Sequence, residues 1–159
     1  MSQLLNIWVK RVRRGPMDPL ARAAVVAGRG IAGNVDQGGR RQVTIVSQAV
    51  LDRVTATLPS APDPAMRRAN LLVSDVDLVN ARDRILRVGA VRIRILGEMR
   101  PCERMDEALA GLQSALAVPW GGGAFGEVLD DGEIAVGDPV TLEPAERARD
   151  RETPSAAIP

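Results

Sequence analysis

Ala90-Val91-Arg92-Ile93-Arg94-Ile95 is the clearest strand signal in the chain. Apolar and charged residues alternate without a break, and a period of two is the period of a β-strand. Val91, Ile93 and Ile95 are expected on the core face, with Arg92 and Arg94 on the other. Arg84-Ile85-Leu86-Arg87-Val88-Gly89 precedes this strand. Beyond it the chain reaches Met99-Arg100-Pro101-Cys102-Glu103-Arg104, and then Met105, Leu109, Leu112 and Leu116 recur at helical spacing. Cys102 is therefore expected where a strand hands over to a helix.

Working outward toward the N-terminus, Asn6 to Arg13 reads as a strand with Ile7, Val9 and Val12 turned inward. Arg14 to Pro19 reads as a loop, Ala23 to Val26 as a second strand, and Arg40 to Val46 as a third. Ser47 is placed to cap a helix over Gln48 to Leu58, whose apolar face is Val50, Leu51, Val54 and Leu58. Pro59 to Pro64 reads as a loop, and Met66 to Val73 leads into another extended run. Toward the C-terminus, Phe125 to Leu129 and Glu133 to Val136 flank Asp130-Asp131-Gly132, a hairpin signal. Val140-Thr141-Leu142 follows a turn at Gly137-Asp138-Pro139. Seven or more short strands with two helices, not in regular alternation, predict a mainly β fold. An antiparallel β-barrel with a few peripheral α-helices is expected, one domain over residues 1–143, with residues 144–159 a poorly ordered tail.

Composition narrows the function classes. A chain of 159 residues suits one domain, and its longest apolar run is too short to span a bilayer. The start, Met-Ser-Gln-Leu-Leu-Asn, lacks the basic beginning of a signal peptide. One cysteine forms no internal disulfide, so a cytoplasmic location is expected. The balance of 21 basic against 20 acidic residues, with 2% aromatics, argues against a general nucleic-acid binder. There is no histidine, which removes Ser-His and Cys-His pairs, histidine-bearing zinc sites and the two-histidine iron site. Tyrosine is absent too, leaving Cys102, carboxylates, hydroxyls, the sole lysine Lys10 and bound cofactors as carriers of chemistry.

Gly28-Arg29-Gly30-Ile31-Ala32-Gly33 matches the letters of the dinucleotide fingerprint but not its context. That motif must open a helix whose N-terminus meets the pyrophosphate. Here Asn34-Val35-Asp36-Gln37-Gly38-Gly39 follows, with no helical period, so a glycine-rich loop is the reading. For Cys102 the residues alone leave two readings open. Arg100, Arg104 and the start of a following helix favour a thiolate, against Glu103; the alternative is a buried, inert thiol.

Six segments in order resemble the MOSC domain, named from the C-terminus of molybdenum cofactor sulfurase. They are Gly30-Ile31-Ala32-Gly33, Arg41-Gln42-Val43-Thr44-Ile45, Arg68-Ala69-Asn70-Leu71, Arg100-Pro101-Cys102, Gly126-Glu127-Val128-Leu129, and Gly132 through Gly137-Asp138-Pro139-Val140. The resemblance runs from about Asn6 to Leu142 and implies a β-barrel of the pyruvate-kinase type. It also implies a pyranopterin molybdenum cofactor, with Cys102 as catalytic residue and metal ligand, and Arg41, Arg68, Asn70 and Arg100 holding the cofactor. The implied activity is reduction of small N-hydroxylated compounds with electrons from an external flavin/iron-sulfur donor. The chain has no cysteine set for its own cluster and no flavin motif. Some family members instead carry sulfur as a cysteine persulfide, which would make Cys102 a sulfur carrier served by a sulfur donor. A binding module without turnover is the third reading. The sequence departs from the family pattern at Asn34, where aspartate is usual, and at Ala69, where an acid usually precedes the asparagine.

Overall fold

The computed structural model describes residues 2–54, 56, 69–99, 120, 123 and 124 to 144. Among them lie eleven strands and one helix: β1 (Leu4–Lys10), β2 (Met17–Leu20), β3 (Arg22–Val26), β4 (Gly30–Ile31), β5 (Val43–Ser47), α1 (Gln48–Val54), β6 (Leu71–Val73), β7 (Ile85–Val88), β8 (Val91–Glu98), β9 (Ala124–Val128), β10 (Gly132–Ala135) and β11 (Val140–Leu142). The expected helix after Cys102 and the tail beyond Pro144 lie outside the described residues.

The alternation in β8 does what its period dictates. Val91, Ile93 and Ile95 are buried, and the residues between them are not. β8 sits within an eight-stranded sheet ordered β11-β7-β8-β9-β5-β6-β1-β2, while β10, β3 and β4 form a second, three-stranded sheet. Pairing is antiparallel except between β5 and β6, which α1 and the segment after it join as a crossover. Ser47 ends β5 and caps α1, its Oγ accepting the Val50 amide at 3.5 Å. The larger core cluster fills the space between the sheets with side chains such as Ile7, Ile31, Ile45, Leu71, Leu86, Ile93 and Ile134.

The mainly β expectation holds, but the barrel is not continuous: the large sheet is open, with β11 and β2 as its edges. It curls far enough for the start of β1 to meet the turn before β11. There the Leu4 amide donates to the Asp138 carbonyl, Gly137 donates to Leu4, and Val140 donates to Ser2. Only an isolated bridge, Gln3 with Pro139, joins the strands across this seam.

Three expectations need correction. Met17 to Leu20 forms an edge strand rather than a loop, with Pro19 exposed and Lys10 paired to Met17. Val12 lies past the end of β1 and is 58% exposed. The Asp-Gly signal makes no hairpin, because β9 pairs with β5 and β8 while β10 pairs with β3. The two aspartates are used elsewhere: Asp130 accepts the backbone and guanidinium of Arg92, and Asp131 accepts the Ala27 amide at 2.8 Å.

The glycine-rich stretch is a turn and a two-residue strand, not the start of a helix. Gly30 has φ +125°, and a Cβ there would sit 2.6 Å from the carbonyl oxygen of Gln42. That backbone approach, not a phosphate, explains the glycine.

Candidate functional site

A polar hollow of about 100 Å³ opens where the ends of β1, β5, β6 and β8 converge. Its described wall carries Lys10 and Met17 from the first hairpin, Asn34 and Asp36 from the loop after β4, Arg41 and Thr44 around the start of β5, Asn70 before β6, and Met99 after β8. Arg41 and Asn70, both expected at a site, are thus brought together. Arg68, Arg100 and Cys102 lie outside the described residues.

The floor is a hydrogen-bonded clasp built on Asn70. Its Oδ1 accepts the backbone amide and the hydroxyl of Thr44, each at 3.1 Å. Its Nδ2 donates to the Trp8 carbonyl at 3.0 Å and to Asn34 Oδ1 at 3.3 Å. The Asn70 amide donates to Thr44 Oγ1 at 2.9 Å, so one residue ties β1, β5 and the Asn34 loop together. Two donor and two acceptor positions exhaust what a side-chain amide offers. Asn70 therefore shapes the hollow from below.

Asn34 is buried and serves the same framework. Its Oδ1 also accepts the Lys10 amide at 2.9 Å, and the Lys10 carbonyl accepts the Val35 amide at 2.7 Å. Both acceptor positions of Asn34 Oδ1 face N–H groups, a task an aspartate could also perform. Asparagine performs it without a negative charge beside Lys10. Ala69 is explained by its surroundings, an apolar cluster with Trp8, Val46 and Leu72, where an unpaired carboxylate would be costly.

The charged groups of the hollow are Lys10, Arg41 and Asp36. Lys10 Nζ stands 3.8 Å from Asp36 Oδ2, a loose pair with the lysine side chain 26% exposed. The Arg41 guanidinium lies over the Phe125 ring, 5.1 Å from its centroid, and has no carboxylate partner among the described residues. Stacking on a ring face steadies the fork without neutralising it. The described wall thus carries two cations, Lys10 and Arg41, against one carboxylate, Asp36, around a space of about 100 Å³. Among the described residues no cluster of three or more metal-binding side chains occurs.

Lys10, named from the sequence only as a candidate carrier of chemistry and outside the expected cofactor-binding set, lines the hollow. Its signal was present: the sole lysine of the chain stands at the end of β1, where a strand delivers its last side chain to a sheet edge. The described residues that flank the Cys102 segment in sequence are bonded to one another beside the same rim. Met99 donates its amide to Gly123 at 2.7 Å, and Glu98 accepts the Trp120 amide at 2.8 Å. The chain therefore leaves and returns at neighbouring points beside the hollow.

A larger, shallower hollow of about 430 Å³ lies at the seam, lined by Ser2, Val76, Asp77, Arg84 and β11. Arg84 there is committed to the carbonyls of Leu142 and Glu143. No described helix is long and apolar enough to cross a membrane.

Solved structures share this architecture. YuaD from Bacillus subtilis superposes with a TM-score of 0.74 at 19% identity, covering 89% of this chain and 96% of that one. YiiM from Geobacillus stearothermophilus gives 0.69 at 15% identity, covering 93% and 78% respectively. YiiM from Escherichia coli gives 0.69 at 13%, covering 100% of this chain and 79% of the other. At these identities the likeness is one of fold. A comparison with curated proteins finds no match. The family model described as the MOSC domain matches residues 32–141, well over half of the sequence, and takes in Asn34, Arg41, Asn70 and Met99. The chain belongs to the MOSC domain family.

Proposed function

We propose that this protein binds a molybdenum pterin cofactor through the cationic hollow and reduces N-hydroxylated compounds, with Cys102 as the metal ligand. MOSC domains are generally associated with molybdenum-cofactor binding. The observation that carries the reading is the pairing of Lys10 and Arg41 in one polar hollow whose rim includes Met99. The cofactor is anionic, and a lysine point charge with an arginine fork is a donor set suited to its phosphate. The hollow formed by described residues is sized for that anionic group rather than for a whole pterin. Cys102 follows Met99 by three residues, and three residues of chain reach at most about 11 Å. A chain of that reach permits the thiol to approach a group held by Lys10 and Arg41.

When bound, such a cofactor would supply the two-electron redox chemistry that the conversion needs. The balanced conversion takes an N–OH compound, two electrons and two protons to the N–H compound and water. The residues of this chain hold and orient. Lys10 and Arg41 bind the anion, Phe125 steadies Arg41, and Asp36 pairs with Lys10 at the rim. Asn34, Thr44 and Asn70 keep the walls in register. Arg68 and Arg100 complete the proposed anion-binding set. Among the described residues no cluster of metal-binding side chains accompanies the site, and an external flavin/iron-sulfur donor is the source of electrons in this proposal.

Protein produced in a host with intact cofactor synthesis tests this directly. Molybdenum and pterin are expected in equal amounts with the chain, and the metal is expected to be lost in Cys102→Ser. Metal-free and pterin-free protein under those conditions would overturn the proposal.

A further inference from the structure

We infer that the tip of the first hairpin is the docking face for a small protein with an acidic surface. The tip begins at the hollow itself, since Lys10 and Met17 are register partners and both line it. Lys10, Arg11, Arg13 and Arg14 fall within five consecutive positions, and the three arginines are exposed. A turn closed by Gly15 donating to the Val12 carbonyl folds these cations back on one another. Lys10 and Arg11 have carboxylate partners, Asp36 and Asp18, whereas Arg13 and Arg14 have none among the described residues.

The loop after β4 extends the patch. The Val35 amide is bonded to the Lys10 carbonyl, so Val35 adjoins the hairpin base. Val12 is 58% and Val35 39% exposed, two of the four large apolar residues left open to solvent among those described. Arginines around a small apolar centre are the composition of a protein interface. A nucleic acid would favour aromatic stacking surfaces and a strongly basic chain, whereas this patch has no aromatic side chain and the chain's net charge is +1. Like the patch, the partner must be locally charged, with the opposite sign. Electrostatic complementarity of this kind speeds and orients encounter between proteins.

The identity of the partner as an electron carrier rests on the reductase reading; the acidic docking does not. A carrier seated on the tip sits beside the rim from which the Cys102 segment departs, and successive one-electron deliveries there supply the two electrons that the reduction consumes.

The test titrates the protein, produced in a host with intact cofactor synthesis, with a [2Fe–2S] ferredoxin and with a flavodoxin, both strongly acidic, at low and at high salt. Binding is expected at low salt, weakened about tenfold or more by Arg13→Glu combined with Arg14→Glu, and weakened likewise by high salt. The matched reversal Arg22→Glu with Arg53→Glu, on β3 and α1, is expected to leave binding unchanged. Failure of both carriers to bind, equal weakening by the two double variants, or tighter binding of a single-stranded RNA oligomer would each overturn the inference. Metal and pterin are measured in the same preparations. Cofactor present without docking fails the inference and leaves the reductase reading standing; docking without cofactor does the reverse.

Discussion

The side-chain amide of Asn70 uses its oxygen twice and its nitrogen twice, all on protein partners. A ligand would have to displace one of those bonds, so the residue acts on the site by holding its floor. Replacement by leucine, of similar volume, strands the Thr44 amide, the Trp8 carbonyl and one acceptor position of Asn34. Each buried group left unpaired costs about 1–3 kcal/mol, so Asn70→Leu is expected to destabilise by roughly 3 kcal/mol or more. Urea unfolding measures this. Thr44→Val keeps the Asn70 Oδ1 bond to the Thr44 amide and leaves the Asn70 amide its second acceptor, the Thr44 carbonyl at 3.1 Å, so it is expected to cost only about 1 kcal/mol. A stable Asn70→Leu protein that merely fails to retain cofactor would instead make the residue a ligand contact.

Between elements, Asp130 joins β8 to the connection between β9 and β10. Its carboxylate takes the Arg92 guanidinium at 2.9 and 3.0 Å and the Arg92 amide at 2.9 Å. Those bonds, the side-chain one foremost, lower its pKa from 3.8 to about 2. A carboxylate with a depressed folded pKa stabilises fully above the ordinary value of 3.8, and that contribution is lost as pH falls toward about 2. Asp130→Asn is therefore expected to flatten the fall of Tm in this acid range relative to the parent. High salt should narrow the difference, because the pair is exposed. An unchanged acid limb in the variant would show that the clamp adds nothing. The same aspartate explains why a local signal misled. Asp-Gly predicts a hairpin only when the flanking strands have no better partners, and β9 and β10 each find theirs in different sheets. Patterns carried within one strand were legible: the alternation of β8, the Ser47 cap, and the inward Ile7 and Val9. Pairings set by distant chain were not. Met17 to Leu20 becomes a strand only because β1 lies beside it, and proline at an edge needs no ladder bond. Of the site, Arg41 and Asn70 were legible through family motifs, whereas Lys10 belongs to it by virtue of where β1 ends.

At the scale of the molecule, the sheet is open in its ladder yet drawn together at one seam. Leu4 is the residue on which that seam turns: its amide and carbonyl both bond across to the turn before β11, and its side chain is fully buried in the main core cluster. Two outcomes are physically distinct. If the seam belongs to the same cooperative unit as the core, weakening it lowers the stability of the whole. If it frays alone, it opens as a local event and leaves the rest standing. The core argues for the first, because Leu4 packs in the cluster that also holds Leu86 and Ile134, one from each sheet. Leu4→Ala keeps both backbone bonds and removes buried methyl groups, a change that costs about 2–5 kcal/mol in well-packed cores. The denaturation midpoint is therefore expected to fall with the slope of the transition unchanged, because the surface exposed on global unfolding stays the same. A reduced slope, or a second transition at low denaturant, would mean that the seam opens independently of the sheet. That result would also separate the seam from the hollow, since Lys10 lies at the other end of β1 and would keep its place against Asn34 while Leu4 swung free.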